Sequence, residues 1–165
     1  MANSQKYGRT ANLFDYVEYF DSTFIPYNEF FNYAELQLQP NTTYTISTSY
    51  TEYTVSSTIR VTAFIVTTSS GIPATANGGI SNVSPITITT ESDGVLKLYK
   101  RISGSAEDML PTEEQFEGGN WIMLNTGSTA LPYQPYLDWQ HSLRKLTSNG
   151  WVDATVKEWD GSDWQ

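Results

Sequence analysis

Cysteine is absent from the 165 residues of the chain, and His141 is its single histidine. Without cysteine the fold has neither disulfide bonds nor thiolate metal ligands, so its stability must come from buried apolar side chains. Nucleophilic catalysis needs a base beside the nucleophile, and a zinc site needs several histidine or cysteine ligands. A single histidine makes both improbable in this sequence. We therefore expect no nucleophilic catalysis and no zinc site.

Basic residues are scarce, because nine Lys and Arg stand against eighteen Asp and Glu and give a net charge of −9. Such a charge repels nucleic acid phosphates and anionic lipid surfaces. No apolar run approaches the roughly 18 residues of a membrane span, and residues 1–9 lack the apolar core of a secretion signal. The sequence predicts a soluble protein made in a cytoplasm, with neither nucleic acid nor membrane as partner.

Only 16% of the residues are charged, whereas Thr, Ser and Tyr are abundant, which is typical of strands. Alternating side chains predict strands at 42–50, 58–68, 84–90, 95–101 and 121–124. Short strands between Gly and Pro turns predict an all-β, antiparallel β-sandwich. The length suits one domain of about 100 to 150 residues with an extension.

Several of these predicted strands carry specific expectations about neighbours and burial. Residues 58–68 form the best candidate for a central strand, since Ile65 on one face and Phe64 on the other are both apolar. A turn at 92–94 joins 84–90 to 95–101 as a hairpin. We expect Ile65 and Leu124 to be buried in the sandwich.

Residues 12–39 are rich in Phe and Tyr without a sustained helical or strand period. We predict a strand at 12–14 and a short turn of helix near 27–33. The aromatic side chains either close one end of the sandwich or form a ligand-facing rim.

Acidic side chains are concentrated at 103–119, which we interpret as a polar loop. Pairs of carboxylates there could in principle hydrolyse glycosides, but solvated surface charge is the ordinary interpretation. The spacing of an EF-hand calcium loop is absent. We therefore expect the protein not to be an enzyme.

The stretch from Gly118 to Tyr136 reads GGNWIMLNTGSTALPYQPY. It predicts a last core strand, a turn at Gly127, and a rigid arm in which Pro132 and Pro135 prevent further strand pairing. Residues 122–136 resemble the closing segment of jelly-roll, carbohydrate-binding-like domains in tail and baseplate proteins of phages that infect Gram-positive bacteria. Residues 12–15 (NLFD) resemble their opening, and 157–164 (KEWDGSDW) resemble their C-terminal hairpin.

This resemblance implies a jelly roll and a non-enzymatic structural or adhesion role in a phage tail, baseplate or fibre. It implies a location in the virion after synthesis in the host cytoplasm, with other virion proteins as partners and host cell-wall polysaccharide as a ligand. We expect no cofactor; a structural calcium ion is implied by resemblance alone. The alternative is an accessory carbohydrate-binding module of a polysaccharide-degrading enzyme, although the missing secretion signal and the C-terminal hairpin favour the phage role.

On this basis the chain divides into four parts. These are an N-terminal tail (1–11), a jelly-roll sandwich (12–137), a connector with a short helical stretch (138–150) and a C-terminal β-hairpin (151–165).

Saccharide rings stack on aromatic side chains that have polar groups at their edges. The best candidate platforms in the predicted sandwich are Tyr50, Tyr53 and Trp121. Trp121 is an equally good candidate for the core, because it opens the closing strand.

The C-terminal hairpin is the predicted oligomerisation or attachment element. A two-residue turn at Asp160 and Gly161 would place Trp151, Trp159 and Trp164 on one face. An isolated two-stranded ribbon is marginally stable, so this face must pack against something. We expect symmetry-related hairpins to meet in a homo-oligomer, a trimer by analogy with phage fibres. The alternative is that the hairpin folds back on its own sandwich.

Deleting residues 142–165 should therefore lower the oligomeric state, because it removes the tryptophan-bearing ribbon. Light scattering on full-length and truncated protein measures the mass directly. A monomeric full-length protein, or a truncated form that keeps the full-length mass, would contradict this prediction.

Overall fold

The computed structural model describes residues 11–51, 53–56, 59–73, 79–81, 85–104, 110–136, 144–147 and 150–153. For the strands within 53–61 and 144–153 it describes the backbone alone. The helices of the described chain are α1 (Tyr16–Asp21) and α2 (Glu113–Glu117). Its strands are β1 (Ile25–Pro26), β2 (Phe31–Gln37), β3 (Thr43–Thr48), β4 (Tyr53–Ser56), β5 (Ile59–Val61), β6 (Phe64–Thr68), β7 (Gly79–Ile80), β8 (Ile86–Thr89), β9 (Val95–Arg101), β10 (Ile122–Thr126), β11 (Arg144–Thr147) and β12 (Gly150–Asp153).

The strands form two main antiparallel sheets. One has the order β1-β2-β9-β6-β7, and the other has the order β10-β3-β8. Strands β4 and β5 pair with each other, as do β11 and β12. The predicted all-β sandwich of antiparallel sheets is confirmed at this level. Among the described residues, no helix is long and apolar enough to cross a membrane.

The core lies between the two main sheets, where alternate residues of each strand point inward. The larger sheet contributes Ala34, Phe64, Val66, Leu96 and Leu98; the smaller contributes Tyr44, Ile46, Ile122 and Leu124. Each fully buried Val, Leu, Ile or Phe side chain stabilises the fold by roughly 1.5–3 kcal/mol. Leu124 is therefore buried in the sandwich, as predicted.

Ile65 is also buried, at 1% exposure, but in a second cluster with Phe31 and Tyr99. Its neighbours Phe64 and Val66 belong to the main core, so Ile65 points away from it. The predicted long strand at 58–68 is interrupted, because β5 ends at Val61 and β6 begins at Phe64.

The predicted hairpin between 84–90 and 95–101 is wrong. The turn is present, with Gly94 at φ +73° donating its N–H to the Glu91 carbonyl. However, β8 pairs with β3 while β9 pairs with β2 and β6, so the turn carries the chain from one sheet to the other. A side chain at Gly94 would collide with the Leu38 carbonyl, because a Cβ there would lie 2.3 Å from it.

The predicted helix near 27–33 is also wrong, since this segment leads from β1 into β2. The helix of this region is α1, which begins after Asp15, whose carboxylate accepts the N–H groups of Val17 and Glu18. The predicted acidic loop contains α2, which starts at a capping box between Thr112 and Gln115.

The C-terminal region differs from its predicted division. Part of the expected connector forms strand β11, which pairs with β12 through Arg144 opposite Asp153 and Leu146 opposite Trp151. A helix is therefore excluded at 144–147. Trp159, Trp164 and the turn at 160–161 lie outside the described residues, as do residues 1–10. The shared tryptophan face and the oligomer stay predictions.

The segment before α1 is joined to the closing strand by Asn12, which is only 3% exposed. Its Nδ2 donates to the carbonyls of Ile122 (3.0 Å) and Gln134 (2.9 Å). Its Oδ1 accepts the N–H groups of Phe14 (3.1 Å) and Leu124 (3.0 Å). Residues 12–14 are thus not a ladder strand as predicted, although Leu13 N–H also donates to the Leu124 carbonyl at 2.8 Å.

Replacing Asn12 with Ala should destabilise the protein by about 2–4 kcal/mol, because it leaves several buried backbone groups without partners. Asn28→Ala is the matched control, since the Asn28 side chain accepts two N–H groups in an exposed turn. Chemical denaturation would measure both variants. An equal loss of unfolding free energy in the two variants would show that Asn12 has no special structural role.

Glu91 joins the turn between the sheets to the end of β6. Its carboxylate accepts the hydroxyl groups of Ser70 and Ser69. Hydrogen bonds from Ser70, Thr68 and Ser69 lower the pKa of Glu91 from 4.5 to about 2. A carboxyl whose pKa is depressed by folding stabilises the native state above its unfolded pKa.

We therefore expect Glu91→Gln to destabilise the protein at neutral pH, with the difference from wild type shrinking as pH falls from about 4.5 toward 2. Thermal unfolding over a pH series measures this difference. Glu35→Gln, at an exposed position of β2, controls for the change in net charge. A difference that does not depend on pH in this window would contradict the prediction.

Candidate functional site

A cleft of about 200 Å³ lies where the opening segment meets the closing strand. It is bounded by the N-terminal segment and α1 on one side, by the end of α2 and the start of β10, and by the proline arm. Its lining residues are Asn12, Phe14, Asp15, Tyr16, Val17, Phe116, Asn120, Trp121, Ile122, Tyr133, Pro135 and Tyr136.

The arm that forms one side of the cleft is fixed by hydrogen bonds at both ends. Near the turn, Asn125 donates to the Thr129 carbonyl at 2.9 Å and accepts the Leu131 N–H at 3.2 Å. Farther along, Gln134 accepts from Asn12 Nδ2 and, through its side chain, from the Ala11 N–H at 3.0 Å. Gly127, at φ +98°, makes the predicted turn into this arm.

Trp121 and Tyr133 form a parallel ring stack beside the cleft, with centroids 4.8 Å apart and planes 16° from parallel. The backbone of Trp121 is held to the end of β3, since its N–H donates to Ser49 Oγ at 2.9 Å and its carbonyl accepts Thr48 Oγ1 at 2.8 Å. Trp121 is half-buried and Tyr133 is 43% exposed. The pair therefore offers aromatic surface to the cleft on a rigid backbone.

Tyr16 and Phe116 form a second stack, with centroids 5.7 Å apart. Phe116 belongs to the core, while Tyr16 is half-buried and lines the cleft. Burial raises the pKa of Tyr16, and nearby Glu117, Glu113 and Asp15 raise it further. Burial raises the pKa of Tyr133, and nearby Tyr16 raises this pKa further.

Polar residues line the cleft together with these rings. Asp15 lines the cleft while its Oδ1 caps α1, accepting Val17 N–H at 2.9 Å. Asn120 is held by its backbone N–H, which donates to the Gln115 carbonyl at 2.9 Å. Aromatic faces with a few fixed polar groups are the usual composition of a site for a small organic ligand, including a saccharide ring.

The three residues predicted as sugar platforms lie in different parts of the structure. Trp121 lies at the cleft, outside the main core cluster. Tyr50 is 6% exposed, packs against Phe64 and donates its hydroxyl to Gln115 Oε1 at 2.7 Å, so it is a core residue rather than a platform. Tyr53 lies in β4, where only the backbone is described.

Sequence reasoning missed Tyr133 and Tyr16 as members of the site. Tyr133 lies between the two prolines of the arm that carries the family resemblance, which was the available signal. Tyr16 belongs to the aromatic segment, for which a core role and a rim role were both open. In the structure Phe14 and Tyr19 are buried, whereas Tyr16 is half-buried and lines the cleft.

In the described part of the chain, no group of three or more acidic or histidine side chains could hold a metal ion. Glu113, Glu114 and Glu117 lie on α2, and Glu107 and Asp108 lie outside the described residues. A structural calcium ion therefore stays an expectation from the resemblance.

Comparison of the chain with models of protein families, with curated proteins and with solved structures finds no match. The link to phage proteins therefore depends on the motifs at 12–15, 122–136 and 157–164. The first two of these motifs are in direct contact through Asn12.

Proposed function

We propose that the protein is a non-enzymatic structural or adhesion subunit of a phage tail, baseplate or fibre, and that the cleft beside Trp121 binds host cell-wall saccharide. The observation that carries the binding role is the rigid Trp121–Tyr133 stack, partly exposed at a cleft with polar edges. The phage role is supported by the sequence motifs, two of which build this cleft.

We further propose that the sandwich is a jelly roll of the carbohydrate-binding type. Along the chain, β2, β6 with β7, and β9 enter the larger sheet, whereas β3, β8 and β10 enter the smaller sheet. Rolling a long antiparallel ribbon around a core places successive strands in opposite sheets. The chain follows this pattern where it crosses from β2 to β3, and again where it crosses from β8 to β9 and back to β10. This alternation supports the finer assignment.

The number of carboxylates in the cleft favours binding over hydrolysis. Glycoside hydrolysis needs two carboxyl groups on opposite sides of the scissile bond. Asp15 is the one carboxylate among the described residues that line the cleft, and its Oδ1 accepts the N–H groups of Val17 and Glu18. We therefore propose that the site holds a saccharide without cleaving it, as an adhesion subunit requires.

Replacing Trp121 or Tyr133 with Ala should weaken binding to purified Gram-positive cell walls by roughly tenfold, the equivalent of about 1.4 kcal/mol for a lost stacking surface. Co-sedimentation with walls from a panel of species measures this affinity. Tyr27→Ala is the matched control, because Tyr27 is also 43% exposed and also pairs with another ring, that of Tyr99, outside the cleft.

Unchanged binding in folded Trp121→Ala and Tyr133→Ala proteins would exclude the cleft as the wall-binding site. An equal loss in Tyr27→Ala would show that the effect is not specific to the cleft. Release of reducing ends from the walls would contradict the non-enzymatic role.

A further inference from the structure

Asp15 is the one charged residue among the described residues that line the cleft. Glu113 and Glu117 on α2 act on Tyr16 strongly enough to raise the pKa of its hydroxyl, after the effect of burial. Neither lysine nor arginine is found among the described residues that line the cleft. These carboxylates favour a ligand that carries positive charge.

The rings of the cleft add to this preference. The faces of aromatic rings carry negative charge density and attract cations within about 6 Å. Both ring stacks, Trp121 with Tyr133 and Tyr16 with Phe116, border the same space as the Asp15 carboxylate. A ligand with an apolar ring face and a positive group at its edge would be complementary to this surface in both shape and charge.

One oxygen of the Asp15 carboxylate caps α1 and the other does not. The hydrogen bonds that it accepts from Val17 and Glu18 go to Oδ1. An ammonium group has three donors and forms short, charge-assisted bonds to carboxylate oxygens. Oδ2 accepts neither of these two bonds, and we assign it to such a group.

We propose that the cleft selects saccharides that carry a free, protonated amino group, of the glucosamine type, over their N-acetylated counterparts. The pyranose ring lies against the Trp121–Tyr133 stack and the ammonium group is held by Asp15, with Glu113 and Glu117 contributing long-range attraction. The same charges disfavour wall polymers rich in phosphate. This inference rests on the proposed saccharide-binding function and specifies its ligand class.

The test compares glucosamine hexaose with N-acetylglucosamine hexaose by calorimetry on the full chain. The two share one backbone and differ in charge. The measurements are made at about pH 5.5, where the sugar amine is largely protonated. We expect the amino form to bind at least tenfold more tightly.

Asp15→Asn is the decisive variant, because asparagine is an equally good helix N-cap and keeps the Oδ1 acceptor while removing the charge. It should remove most of the preference for the amino form, because Glu113 and Glu117 contribute only long-range attraction. Asp93→Asn is the matched control, since Asp93 also accepts a backbone N–H, from Val95 at 3.0 Å, at an exposed turn outside the cleft. Trp121→Ala should weaken binding of both sugars.

The outcomes separate this inference from the function on which it rests. Equal or tighter binding of the acetylated hexaose, weakened by Trp121→Ala, would overturn the inference and keep the saccharide site. A preference for the amino form that Asp93→Asn reduces as much as Asp15→Asn does would reveal general attraction to an acidic protein and overturn the inference. Failure to bind either sugar, while wall binding still depends on Trp121, would also overturn the inference but not the adhesion function.

Discussion

The buried amide of Asn12 is the contact on which the architecture of the site depends. It joins three segments that are far apart in sequence, namely the opening of the domain, the closing strand β10 and the proline arm at Gln134. Its Nδ2 donates to two backbone carbonyls and its Oδ1 accepts two backbone N–H groups. A smaller or apolar side chain would therefore leave buried backbone groups unpaired. Because the cleft is bounded by these same segments, Asn12 helps to fix its shape.

The sandwich provides the rigid base for this arrangement. Trp121 stands just before β10, and its backbone is tied to the end of β3, so the position of its indole follows from the register of the smaller sheet. Phe116 links the site to the core, since it packs against Phe64 on one side and stacks with Tyr16 on the other. Aromatic residues of the same segments therefore either fill the core or line the cleft.

The proposed function combines two kinds of evidence that meet at one place. The motifs that resemble phage tail and baseplate proteins predict a virion role, and the structure brings the opening and closing motifs together as the walls of a cleft. Stacked rings with polar edges favour a saccharide, while the excess of carboxylates around Tyr16 favours one with a positive charge. Charge and shape thus narrow the class of ligand beyond what the resemblance implies.

The sequence by itself determined the fold class, the positions of β3, β6, β8, β9 and β10, the turn at Gly127 and the rigid arm, because side-chain alternation and the backbone limits of Gly and Pro are local properties. It also contained signals for both helices, in Asp15 and in the capping box from Thr112 to Gln115. Only the tertiary structure decided which strands pair, since alternation shows that a strand has a buried face but not which partner covers it. For the same reason only the tertiary structure placed Tyr50 in the core and brought Tyr16 and Tyr133 to the cleft beside Trp121, because those contacts join residues that no local pattern relates.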